Sequence, residues 1–202
     1  LGEMRDLESI QIALSLAETG HLVFATQHTN DASQALDRMI DVFPSDKRDQ
    51  IQTMLAGALQ GVLSQRLLPA VSGGRVAGYE VLMGSEAVKN LIREGKSRQL
   101  RNVIATGGPE GMQTIEMDLA RLVTSGLVTM EMAQSISAYP AEIQAQVSTL
   151  RSQAQAQATA ASGQSATSGS GVNAGEEASA ATGDGTVETN EAGEPAEPAP
   201  AG

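Results

Sequence analysis

Every lysine and arginine in this chain, 13 in all, lies at or before Arg151, and that boundary limits how much of the 202 residues can fold. Beyond it the sequence turns to Ala, Gln, Ser, Gly and Thr, then to Glu and Pro, with almost no large apolar side chains. Such a stretch cannot bury enough surface to offset its ordering entropy, so residues 158–202 are expected to form a disordered, low-complexity acidic tail. Two readings of the tail stay open, an inert solvated segment and a regulatory tether. Residues 152–202 hold seven acidic side chains and no basic one, which leaves 17 acidic against 13 basic in the rest, a balance of −4. That is ordinary for a globular domain and provides no broad basic field, so no nucleic-acid partner is expected.

About 150 residues remain, the size of one ordinary domain. Its large aromatics are few, Phe24, Phe43, Tyr79 and Tyr139. A core made of Leu, Ile, Val, Met and Ala suits helices better than a sandwich, which disfavours an all-β fold. With no cysteine, disulfides and thiolate metal sites are excluded, and no metal centre is expected. No apolar run approaches the roughly 18 residues of a membrane span, and Leu1-Gly2-Glu3-Met4-Arg5-Asp6 is not a signal peptide. A soluble protein is the expectation. The first residues read as the end of a strand with no strand before it, so the chain is expected to be a fragment.

Apolar positions Leu7, Ile10, Ala13, Leu14 and Ala17 line one face of a helix from Asp6 to Glu18, stopped by Gly20. His21 to Thr26 has a continuous apolar middle, the pattern of a strand buried on both faces of a parallel sheet. Asn30 or Asp31 can cap a next helix with Ala32, Ala35, Leu36, Met39 and Ile40 inward. A longer helix is expected after Ser45, with Ile51, Met54, Leu55, Ala58, Leu59 and Val62 in period. Leu63–Val71 and Arg75–Met83 read as a hairpin around Ser72-Gly73-Gly74. Helices follow at about 86–94, 111–125, 130–138 and 140–157, with Gly95 and Gly126 as stops. The chain is therefore α/β first and helical last.

Four segments bear on chemistry. Gly2-Glu3-Met4-Arg5-Asp6 places a carboxylate at a strand end before a helix, the edge where parallel sheets hold ligands. Glu3 is either a surface carboxylate or a group that orients attacking water or holds Mg²⁺ through water. His28, Thr29 and Asn30 follow the apolar strand to the same edge, where His28 is either a loop histidine or a phosphate sensor. His21 lies at the strand's other end. Ala87-Val88-Lys89-Asn90-Leu91-Ile92-Arg93-Glu94 reads as an amphipathic helix with a basic side. Gly111-Met112-Gln113-Thr114 precedes another helix and carries no chemistry by itself.

In this order the four segments resemble the PilT family of twitching-motility retraction ATPases, within the secretion ATPase superfamily. Gly2 to Glu8 is similar to the end of the Walker B segment, Gly20 to Asn30 to the His box, Ala87 to Glu94 to the retraction helix, and Gly111 to Thr114 to the later helical signature. The coverage runs from residue 1 to about 145. The resemblance implies the C-terminal part of a RecA-like P-loop NTPase core over residues 1–84, a helical C-terminal region over 85–157, and the tail. It further implies ATP and Mg²⁺, a homohexameric ring, an inner-membrane pilus platform protein as partner, and a peripheral position at the cytoplasmic face of the inner membrane. By carry-over, Glu3 is the catalytic glutamate, and His28 and His21 sense or arrange the nucleotide site. Gly2 and Thr29 lie near the nucleotide, and Ala87 to Glu94 couple hydrolysis to movement.

Ala25, Gln27, Val88 and Lys89 depart from the family's usual residues. Lys89 keeps the charge but lacks a guanidinium's planar fork. No Gly-x-x-x-x-Gly-Lys-[Ser/Thr] loop occurs in the 202 residues, so the chain alone is expected to be inactive. The alternative is a non-catalytic interaction protein of the pilus or secretion machinery. Assembly and type II secretion ATPases, many of which carry a Cys-x-x-Cys insertion, fit a cysteine-free chain less well. So short a core, with its first helix and hairpin poorly covered, is also expected to be marginally stable.

Overall fold

The computed structural model describes residues 1–165, with side chains to Thr159, and the residues through Ala161 form one unit. The expected acidic tail lies outside the described residues from 166 onward. Helices α1 (Leu7–Glu18), α2 (Ala32–Asp41) and α3 (Arg48–Ala58) precede the strands β1 (Gly61–Pro69) and β2 (Arg75–Met83). Then come α4 (Glu86–Arg93), α5 (Leu100–Thr106), α6 (Ile115–Thr124), α7 (Met130–Ile136) and α8 (Pro140–Ser165).

Four helix starts follow from side-chain caps. Asp6 accepts the Ser9 amide, Asp31 the Gln34 amide, Thr114 the Met117 amide and Thr129 the Met132 amide. Each side chain satisfies a donor that the first turn leaves free. Two hydrogen bonds from Ser9 hold the Asp6 carboxyl below its ordinary range. Gly20, Gly95 and Gly126, the expected stops, all take positive φ.

The hairpin forms, with its first strand two residues earlier than the expected Leu63–Val71, in an antiparallel register from Gly61 opposite Met83 to Pro69 opposite Arg75. Gly73 and Gly74 both have φ near +80 to +90, the left-handed conformation that a tight turn demands and glycine adopts freely. Alternate residues face inward: Val62, Ser64, Arg66 and Leu68 on β1, and Val76, Gly78, Glu80 and Leu82 on β2. This inner face feeds two apolar clusters. Leu82 joins Ile10, Leu36, Phe43, Ile51, Leu55, Val88, Ile92, Leu100 and Ile104. Leu68 joins Leu119, Leu122, Val128, Ala133, Ile143 and Val147. Between these apolar ends the inner face is polar, at Ser64, Arg66 and Glu80.

Several expectations are corrected. Residues 21–26 form no buried strand; they are extended and irregular, with Leu22 and Phe24 about three-quarters exposed. Among the described residues, backbone bonds from Leu1 to Phe24 and from Met4 to Thr26 tie this segment to residues 1–4, and the pair forms no strand ladder. Helix α3 ends at Ala58 instead of running to Val62: Leu59 turns to an extended conformation and Val62 enters β1. A Cβ at Gly84 would lie 2.2 Å from the Leu59 carbonyl oxygen, so the backbones meet where the continued helix was expected. Its cap position is Lys47, not Ser45. The seven-residue helix α5 was not anticipated, α6 begins only at Ile115, and α8 runs on to Ser165.

Candidate functional site

Glu3 and His28 are 25 positions apart in sequence and meet in space. The Leu1 nitrogen donates to the Phe24 carbonyl at 2.8 Å and the Met4 amide to that of Thr26 at 3.1 Å. The Thr26 hydroxyl also donates to the Gly2 carbonyl. Both segments advance in the same direction, so residues 3 and 28 emerge at the same end. There His28 Nε2 lies 3.2 Å from Glu3 Oε1. Arg5 Nε donates to the same carboxylate oxygen. Glu3 is about a third exposed and His28 about three-quarters exposed, which leaves both open to a ligand.

The remaining expected residues divide. A Cβ at Gly2 would meet nothing within 4 Å, so the space beside that backbone is open. Thr29 is half-buried in the same segment as His28. His21 stands apart, after the end of α1, with its Nδ1 3.0 Å from the Thr19 hydroxyl. Gln27 carries an orphan: its side-chain amide atoms are buried without a hydrogen-bond partner.

In α4 the expected coupling segment splits by face. Val88 and Ile92 are fully buried and Leu91 packs on the same cluster. On the outer side Lys89 pairs with Glu86 at 3.6 Å, Arg93 donates to Asn90 Oδ1 at 2.6 Å, and Glu94 pairs with Lys96 at 2.7 Å. The apolar half of this segment thus holds the core, while Asn90, Arg93 and Glu94 are exposed and Lys89 is half-buried.

Three residues missed in the sequence hold the His28 segment. Arg38 Nη1 donates to the His28 carbonyl at 3.2 Å and Arg66 Nη2 to that of Asn30 at 3.3 Å. The Ala32 amide donates to Glu80 Oε1 at 2.8 Å. Burial pushes the Glu80 carboxyl up, opposed by the Ala32 amide and reinforced by the charge of Asp31. The signal available was alternation: Arg66 and Glu80 occupy inward positions between apolar residues at both ends of the hairpin face, where a charge requires a partner.

Comparison with known proteins decides the family. Residues 1–173 match the family described as type II/IV secretion system protein. The chain belongs to that family. Within it, the chain is 49% identical over 140 residues to the type IV pilus retraction ATPase PilT of Pseudomonas aeruginosa, covering 69% of this chain and 41% of that protein. It is 48% identical over 135 residues to a twitching motility protein of Neisseria gonorrhoeae, covering 66% of this chain and 36% of that one. A crystal structure of the pilus retraction motor PilT with bound ADP superposes with a TM-score of 0.64 at 45% identity, covering 71% of this chain and 40% of that one. This member of the secretion family therefore spans about two fifths of the length of these relatives. Its described residues form a mixed α/β arrangement, mostly helical, with a two-stranded sheet. Among them, no helix is long and apolar enough to cross a membrane.

Proposed function

We propose that the chain is the C-terminal part of an ATP-hydrolysing ring motor that drives type IV pilus retraction, with Glu3 as its catalytic glutamate. The observation that carries this reading is the 3.2 Å approach of Glu3 Oε1 and His28 Nε2 at the shared end of two same-direction segments. Residues 1–84 would then be the C-terminal part of a RecA-like P-loop NTPase core, 85–157 the helical region, and 158–202 an acidic tail. The homohexamer, the platform protein at the inner membrane and the cytoplasmic location belong to the same proposal.

The donor set fits the terminal-phosphate end of a nucleotide. When bound, MgATP supplies the phosphoryl group that water attacks. Glu3 would orient that water and accept its proton at a carboxylate oxygen. His28, donating from Nε2, would report a nearby anion and exchange partners between it and Glu3. Gly2 leaves room for a ligand against the backbone, and Thr29 adds a hydroxyl to the same edge. His21 is separate and would contribute at a subunit contact. Helix α4, anchored by Val88 and Ile92, would carry the response from this edge into the helical region. A phosphate-cradling loop is not among the 202 residues, so the chain by itself is expected to give no phosphate release.

The test supplies that loop by fusing the chain behind the N-terminal three fifths of the Pseudomonas PilT it resembles. The fusion should release phosphate from ATP, and Glu3→Gln should reduce release by 100-fold or more, on the order expected for loss of a water-positioning group and its proton acceptor. A fusion that turns over equally well with Glu3→Gln would overturn the assignment, as would turnover by the 202 residues alone.

A further inference from the structure

The inner face of the hairpin presents one cation and one anion to a single stretch of backbone. Arg66 and Glu80 are diagonal neighbours there, since Arg66 lies opposite Gly78 and Ser64 opposite Glu80. Arg66 takes the Asn30 carbonyl at 3.3 Å and Glu80 takes the Ala32 amide at 2.8 Å. The backbone just after His28 is thereby held by charge-assisted hydrogen bonds at both a carbonyl and an amide, the stronger class of such bonds.

Arg66 also reaches elsewhere. Its Nη1 donates to the Ile136 carbonyl at 3.1 Å, in the last turn of α7. Carbonyls at that end have no partner within the helix, and the helix dipole places negative charge there. A cation is favoured at this position on both counts. Among the described residues no carboxylate pairs with Arg66. Its half-buried charge is shared between two carbonyls that lie 106 residues apart in sequence.

The next residue after Ile136 continues the connection. Ser137 Oγ donates to Glu116 Oε1 at 2.8 Å and accepts the Tyr139 amide at 2.8 Å. Glu116 in turn pairs with Arg101 at 3.1 Å. The end of α7 is thus fixed to α5 and α6, and through Arg66 to the His28 segment.

We propose that Arg66 is a positioning residue that couples the His28–Asn30 segment to the C-terminal end of α7. Displacing either carbonyl breaks the fork unless the other follows. The planar guanidinium suits this role because two of its N–H groups diverge at a fixed angle, whereas a lysine ammonium is a compact point charge that follows one carbonyl at a time. The consequence for hydrolysis rests on reading His28 as a nucleotide-facing residue; the coupling itself is measured without nucleotide.

The two histidines give the measurement its internal control. In the 202-residue chain, imidazole proton resonances of His28 and His21 would be compared between wild type, Arg66→Ala and Arg66→Lys, alongside amide hydrogen exchange. Arg66→Ala should move the His28 resonance, leave His21 in place, and accelerate exchange roughly tenfold or more at both 29–32 and 133–138, the scale of losing one charged hydrogen bond at each. Arg66→Lys should loosen one of the two segments and spare the other. Ser137→Ala, which frees the end of α7, should move His28 in the wild-type background and not in Arg66→Ala. A His28 resonance unmoved by Arg66→Ala overturns the coupling, as does a uniform rise in exchange that includes α1. If Arg66→Ala fails to fold, Arg66→Lys decides alone: both segments unchanged, or both loosened equally, would count against the fork. Failure here leaves the catalytic reading of Glu3 to the phosphate-release assay.

Discussion

Helix α4 and the segment 21–26 are both short and rich in apolar residues, and both belong to motifs that point to the same family. Their surroundings are opposite. Val88 and Ile92 of α4 are 0% and 2% exposed, whereas Leu22 and Phe24 are 76% and 77% exposed. An apolar pattern records that a segment is meant to be covered; it does not say what covers it. In α4 the cover is supplied by α3 and α5 from the same stretch of sequence. For 21–26, no described residue covers the faces of Leu22 and Phe24.

The largest effect should come from the covered side of this contrast. Ile92→Ala removes a fully buried side chain from the cluster shared by α1, α2, α3, α4 and α5, and should cost about 2–5 kcal/mol in a urea unfolding curve. A loss below about 1 kcal/mol would mean that α4 is no better anchored than 21–26, and the comparison would break.

Next in size is the polar joint of the helical region. Arg101 Nη2 reaches Glu116 at 3.1 Å and Glu142 at 2.7 Å, and its guanidinium lies 3.7 Å from the centroid of the Tyr139 ring. Partial burial works against the charged form, but Glu142 and Glu116 outweigh it and raise the Arg101 pKa. Glu116 is 2% exposed, so Arg101→Ala would leave a buried carboxylate without its cation. About 2–3 kcal/mol is expected, below the range for a fully buried pair because a quarter of the Arg101 side chain remains in water. Adding Glu116→Gln should restore part of that loss; no restoration would show that Arg101 acts through packing on Tyr139 instead.

Much of this was legible in the sequence, and the failures have physical causes. Periodicity located α1, α2, α4 and the hairpin because each buries one face or alternates. Helix α5 escaped notice because seven residues interrupted by Arg101 and Asn102 carry too little period. Segment 21–26 was misread because apolarity was taken for a ladder, which requires partner strands. Glu3 and His28 were chosen through family motifs, yet their 3.2 Å approach depends on a pairing between segments distant in sequence. Arg66 and Glu80 were overlooked because they lie in no motif, although inward-facing charges on a hairpin were visible in its alternation.

A smaller and pH-dependent effect belongs to Glu80. Its folded carboxyl is raised above the ordinary 4.5, chiefly by burial. A carboxyl raised in the folded state favours folding while protonated, so its contribution is fully present below about 4.5 and is lost as pH rises through the raised value. Glu80→Gln keeps an oxygen for the Ala32 amide and removes the charge. The variant should flatten the stability profile above pH 4.5, measured by urea unfolding at several pH values, and at pH 7 it should be at least as stable as the parent. A variant weaker than the parent at pH 7 would show that the charged bond to the α2 amide outweighs the cost of burial.

The smallest expected change is on the uncovered side, and it tests the contrast most directly. Phe24→Ala removes a large ring that water already reaches over three-quarters of its surface, so little transfer energy is at stake. Urea unfolding of the dilute chain should shift by no more than about 0.5 kcal/mol, a tenth or so of the largest loss expected for Ile92→Ala. An exposed Phe24 next to an exposed Leu22 favours self-association, so the parent's apparent stability should rise with concentration while that of Phe24→Ala stays constant. If Phe24→Ala costs as much as Ile92→Ala even at the lowest concentration, the ring is covered within a single chain. Segment 21–26 would then be core in solution, and the difference from α4 would disappear.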